Sequence, residues 1–109
     1  MTSNIGNYEQ TCASFTWDLA ARALDGLPGG KGLNIAHEAV DRHARGPLQD
    51  RLALRFLDRG GPALDITYCE LSERTSRFAN VLVRLGVAPG QRVFALCGRT
   101  PELFAAALG

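Results

Sequence analysis

The chain has three cysteines, Cys12, Cys69 and Cys97, and no CxxC spacing among them. So few thiols at such distances provide neither a disulfide framework nor a structural zinc site. They are expected as reduced thiols in a cytoplasmic protein, with Cys97 packing as a small apolar residue. No apolar run approaches the roughly 18 residues that a spanning helix needs. The opening MTSNIGNYEQ has neither a basic region nor an apolar stretch, so no secretory signal is expected. Net charge is only +1, which excludes a broad basic field for nucleic acid or anionic lipid. Neither a nucleic acid nor a membrane is expected as a partner.

What is present is ordinary globular material, 46% hydrophobic and 21% charged over 109 residues. Residues 1–33 show weak periodicity and are expected as an irregular arm, with one short apolar stripe at Trp17, Leu19, Ala20, Ala23 and Leu24. The run Gly26-Leu27-Pro28-Gly29-Gly30-Lys31-Gly32 breaks any helix there. Asn34 is placed to cap a helix that stops before Gly46-Pro47, with Ala36, Ala39, Val40 and His43 on one side. Glu38 and Arg42 stand four apart on another.

Residues 52–57 and 63–67 read as two strands joined by the turn Asp58-Arg59-Gly60-Gly61-Pro62. Thr67-Tyr68-Cys69-Glu70 fits a capping box, with Ile66 and Leu71 where a hydrophobic staple requires them. Leu71, Thr75, Phe78, Ala79, Leu82 and Leu85 recur at helical steps. Gly86 and Val87 then fit a Schellman ending.

Residues 92–97 include five consecutive apolar positions and predict a strand covered on both faces, as in a parallel sheet. Thr100 caps the last helix and Pro101 takes its first position. Leu103-Phe104-Ala105-Ala106-Ala107-Leu108 follows without a polar residue, and a helix apolar all round belongs inside something larger. The fold class is therefore α/β, with an irregular arm, a β-hairpin and a strand–helix unit. Residues 1–109 are expected as an incomplete N-terminal fragment of one domain, in which 1–33 form the arm and 34–109 begin the α/β core.

Four patterns invite a chemical reading. His37-Glu38-Ala39-Val40-Asp41 approaches the H-E-x-x-H zinc signature. Asp41 replaces the second histidine and no third ligand follows, so an exposed helical face with a His37–Asp41 pair is expected instead. Gly29-Gly30-Lys31-Gly32 resembles a phosphate loop, but no strand precedes it and Gly32 stands where Ser or Thr is needed, so it reads as a flexible turn. Gly98-Arg99-Thr100 sits at a strand-to-helix turn where N–H groups hold anions. Pro101 removes a donor, and a structural turn is expected. Ser14, Ser72 and Ser76 lack a G-x-S-x-G setting, and His43 is expected at the border of the core. No catalytic, cofactor-binding or metal-ligating residue is assigned.

Taken in order, these segments carry a family likeness. Leu33-Asn34-Ile35-Ala36 with Val40-Asp41-Arg42-His43-Ala44 resembles the N-terminal region of AMP-forming acetyl-CoA synthetases and their acyl-CoA synthetase relatives. So do Thr67-Tyr68-Cys69-Glu70-Leu71, Arg77-Phe78-Ala79-Asn80 and Leu85-Gly86-Val87. Pro89-Gly90-Gln91-Arg92-Val93 and Arg99-Thr100-Pro101-Glu102-Leu103 extend the match, and the arm around Trp17 is also similar. The resemblance implies an acid–CoA ligase that joins a small, acetate-like carboxylate to ATP, forms an acyl-adenylate and passes the acyl group to coenzyme A with magnesium at the phosphates. It implies a large N-terminal α/β domain and a small mobile C-terminal one. The family's Ser/Thr/Gly-rich phosphate loop, nucleotide contacts, hinge and C-terminal lysine have no counterpart in these residues. The chain is thus expected to bind no cofactor alone, to be inactive alone, and to have the remainder of the enzyme as its partner. The alternative is a free-standing α/β interaction module docking through its apolar C-terminal strand and helix. A small nucleotide-binding protein fits worst, because no phosphate loop is present.

Overall fold

Two cap residues organise the start of the chain. In the computed structural model, which describes residues 6–109, the Asn7 side chain accepts the Gln10 N–H at 3.2 Å and opens α1, Tyr8–Ser14. Thr16 accepts the Leu19 N–H at 3.2 Å and opens α2, Trp17–Arg22. The segment expected as irregular thus contains two short helices, though its first five residues lie outside the described part. Neither helix buries a residue. The expected stripe on α2 meets no core, and Trp17 stands 81% exposed. Capping, with its local side-chain acceptor, supports these turns in place of packing.

The next helix starts where Asn34 accepts the His37 N–H at 3.0 Å. It then widens into a π-helical turn, His37–Asp41, and closes as α3, Arg42–Ala44. Such single wide turns rotate the face that follows them. Here His37 and Val40 face inward together while Glu38 and Asp41 reach out to other parts of the chain. The sequence pattern does not announce the widening, since its cap and stop fit an ordinary helix equally well.

β1, Leu52–Phe56, pairs antiparallel with β2, Leu64–Thr67, matching the expected hairpin. Leu54 lies opposite Ile66 and Arg55 opposite Asp65, with an irregularity between Leu52 and Leu54. Ile66 is completely buried, a burial worth about 1.5–3 kcal/mol for such a side chain.

α4, Tyr68–Arg84, begins in the expected capping box. The Glu70 N–H reaches the Thr67 hydroxyl at 3.2 Å, and the Thr67 N–H reaches the Glu70 carboxylate at 2.9 Å. Ile66 and Leu71, the staple pair, fall in one buried cluster with Val40. Ala53, Leu54, Phe56 and Leu108 pack around it. The far end closes as a Schellman motif. Gly86 takes φ +79°, its N–H reaches the Val83 carbonyl, and the Val87 N–H reaches the Leu82 carbonyl, both at 3.0 Å. Leu85, expected on the inward stripe, is exposed at this end, beyond the reach of the small core.

α5, Pro101–Leu108, runs against α4. The approach is close. A β-carbon on Gly109 would lie 2.7 Å from the Thr75 carbonyl oxygen, so only glycine fits there without a shift. Phe104 meets Phe56 edge to face at 5.5 Å. Before α5, residues 92–97 form no strand, in contrast to the expectation. A strand requires a partner for its backbone groups, and the only sheet among the described residues is the hairpin. Phe94 is 92% exposed and Leu96 fully so. The radius of gyration is 16.9 Å, against about 13 Å for a compact domain of this size. An α/β architecture is present, and it is open on the side where residues 92–97 lie.

Candidate functional sites

Each chemical pattern in the sequence can be followed to its place. The zinc-like pattern dissolves in the π turn. His37 is buried instead of lying on an exposed face, and it does not pair with Asp41. Asp41 accepts the Ser72 hydroxyl of α4 at 2.8 Å. Glu38 turns the other way and accepts the N–H groups of Gly26 at 2.7 Å and Asp25 at 3.2 Å, with Arg42 at 2.8 Å. The three side chains of the pattern therefore diverge. No group of three His, Cys, Asp or Glu side chains suited to a metal is assembled among the described residues.

Burial pushes the Glu38 carboxyl up, but the Gly26 and Asp25 N–H groups and the Arg42 guanidinium outweigh it. The net displacement is below the ordinary carboxylate value. Glu38 is a fixed anion with three donors, which suits holding and not proton transfer.

The glycine run closes on itself. The Leu27 N–H donates to the Gly32 carbonyl at 2.8 Å and the Gly30 N–H to the Leu27 carbonyl at 3.2 Å. Gly29, Gly30 and Gly32 all hold positive φ, so the segment is a defined turn, closed by these two bonds and preceded by no strand.

At the turn before α5, the Thr100 N–H donates to the Gly98 carbonyl at 3.0 Å and Pro101 has no N–H to offer. Thr100 occupies the cap position but its side chain does not cap the backbone. The nearby Thr100 hydroxyl and the Glu102 N–H lower the Glu102 carboxyl despite some burial, with Arg74 adding a weaker pull. The helix start already carries its own anion, which answers the field of the helix terminus from within the chain.

Neither Ser14 nor Ser72 is hydrogen-bonded to a histidine. Ser14 donates to the Gln10 carbonyl at 2.9 Å on α1. Ser72 is committed to Asp41, and Ser76 borders an open groove with Arg45, Cys69 and Arg77. The His43 ring lies against Tyr68, centroids 5.1 Å apart, at the joint between α3 and α4. The one hydroxyl–carboxylate pair formed, Ser72 with Asp41, has no histidine hydrogen-bonded to it and joins the π turn to α4.

The sequence pattern showed the Glu38–Arg42 pair but not what it grips. Arg42 also donates to the Ala23 carbonyl at 3.3 Å and stands 3.7 Å from the Asp25 carboxylate. The one available signal was the pair's position just after a glycine-rich turn, which allows the chain to fold back on it.

With this geometry in view, comparisons with known proteins place the chain. A family model described as AMP-binding enzyme matches residues 40–109. The chain is 39% identical over 107 residues to the acetyl-coenzyme A synthetase of Bacillus subtilis, covering 97% of this chain and 18% of that enzyme. It is 41% identical over 76 residues to the enzyme of the same name from Streptomyces avermitilis, covering 70% of this chain and 12% of that enzyme. For the one from Methanothrix thermoacetophila the figures are 41% over 76 residues, 69% and 11%. The chain thus spans less than one fifth of the length of these relatives. These matches support an acyl-CoA-synthetase-like N-terminal portion and lend nothing to a free-standing interaction module. No solved structure matches the chain at a significant level.

Proposed function

This chain belongs to the AMP-binding enzyme family, and we propose that it serves as the N-terminal structural part of an acyl-CoA synthetase. The complete enzyme activates a small carboxylate, acetate or a near relative, with ATP and passes the acyl group to coenzyme A. The observation that carries this reading is the 97% coverage of the chain by an acetyl-coenzyme A synthetase about five times as long.

ATP, magnesium and coenzyme A belong to that complete enzyme. The residues described here do not fit them. The glycine turn follows no strand and uses its Leu27 and Gly30 donors to close on itself, Glu102 already stands in the first turn of α5, and the acidic and histidine side chains of the π turn diverge. No catalytic step is assigned to any of them. Their role is scaffolding.

The partner is the remainder of the enzyme. Residues 92–97 present Val93, Phe94 and Leu96 to solvent on a backbone without a ladder. Exposed apolar stretches of this kind mark interfaces. Strands and helices from the rest of the domain would cover both faces of this segment and the open side of α5. Localisation in the cytoplasm fits three free thiols. No helix among the described residues is long and apolar enough to cross a membrane.

A chimera tests the assignment. The matched stretch of the Bacillus subtilis enzyme is replaced by this chain, and acetate-dependent pyrophosphate release is measured. Release by the folded chimera is expected. A chimera that folds and binds ATP yet releases none would count against the assignment.

A further inference from the structure

The arm has no buried residue in either of its helices, yet it leaves the core at a defined place. What defines that place is one carboxylate and one guanidinium. Glu38 accepts the N–H groups of Asp25 and Gly26, and Arg42 donates to the Ala23 carbonyl and faces the Asp25 carboxylate. Glu38 and Arg42 also bind each other at 2.8 Å. The Glu38 side chain is only 12% exposed, while Arg42 at 26% and Asp25 at 64% face more solvent. Gly26 turns the backbone with φ +71°, and Leu27 next to it is half-buried beside His37, Thr75 and Leu108. The π turn makes this arrangement possible, because Glu38 faces the arm while Asp41 holds Ser72 on α4.

We propose that Glu38 and Arg42 form a latch that fixes the exit of the arm and so aims its aromatic end, the edge-to-face pair Phe15 and Trp17. The latch is local. Opening it frees residues 8–26 as a strap while the hairpin and α4 keep their packing. A surface ion pair alone would do little. This one differs because its carboxylate also satisfies two backbone donors that would otherwise need other partners. The proposal concerns how the arm is held and is independent of the reaction that the complete enzyme performs.

Amide hydrogen exchange of the 109-residue chain, read by NMR, tests it. In Glu38→Ala the Asp25 and Gly26 amides are expected to exchange at least about tenfold faster, because local opening sets their rate. The Cys69 amide, bonded to the Gln49 carbonyl at the start of α4, is expected to stay unchanged. The anisotropy of Trp17, the single tryptophan, falls in the same variant. Glu38→Gln keeps an acceptor and loses the charge, so it gives a smaller acceleration and serves if the alanine variant does not fold. Glu73→Ala removes the exposed Glu73–Arg77 pair and is expected to leave Asp25 and Gly26 as they were. Unchanged exchange at Asp25 and Gly26 in both Glu38 variants overturns the latch. So does equal acceleration at Cys69, which would make the pair a support of the whole fold.

Discussion

Arg55 and Asp65 face each other across the hairpin and are joined by two hydrogen bonds of 2.6 Å, Nε to Oδ1 and Nη2 to Oδ2. The bond from Arg55 holds the Asp65 carboxyl below its ordinary value against a smaller opposing effect of burial, and the charge of Arg55 assists. The same bond raises Arg55. A carboxyl lowered in the folded state adds stability above its unfolded value and loses it as pH falls through the lowered one. The hairpin is therefore expected to weaken only on the acid side of the ordinary carboxylate range. The effect is small, since the side chains are 54% and 47% exposed. Urea titrations from neutral to acid pH check this, and Asp65→Asn is expected to flatten the acid dependence. An unchanged slope in that variant would assign it to other carboxyls.

The buried cluster is small enough that one side chain decides it. Ile66→Ala is expected to cost about 2–5 kcal/mol, enough to abolish a cooperative urea transition in a chain whose buried apolar residues, among those described, are Val40, Ile66 and Leu71. Leu57→Ala, at a position 80% exposed, is expected to stay within about 0.5 kcal/mol. Equal effects of the two would mean that the hairpin does not pack on α4 as described.

Legibility in the sequence followed the range of the interaction. The capping box at Thr67 and Glu70, the Schellman ending at Gly86 and the Asn34 cap are set by residues within five positions of one another, and each was readable. The hairpin was readable from turn chemistry and apolar content. The strand expected at residues 92–97 was not realised, because its partners are not supplied by these residues. The π turn was missed because its cause is tertiary. It buries His37 and Val40 while sending Glu38 and Asp41 to separate partners. A pattern that looked like a metal site was for that reason three unrelated contacts.

Exposed apolar surface gives a direct optical prediction. The isolated chain is expected to bind a dye that reports apolar surface, chiefly at Phe94 and Leu96. Phe94→Ser with Leu96→Ser is expected to reduce the dye signal without moving the urea midpoint, because neither side chain is packed. A dye signal that survives the double variant would place the exposed surface elsewhere.

In the proposed division of labour, this chain supplies scaffold and the chemistry resides in the remainder of the enzyme. Acetate-dependent ATP–pyrophosphate exchange by the purified 109-residue chain measures that division most directly. Exchange at the level of a buffer blank is predicted, at any concentration of acetate, ATP and magnesium. Exchange above that blank, dependent on acetate and lost on denaturation, would show that the chain adenylates by itself and would contradict the account.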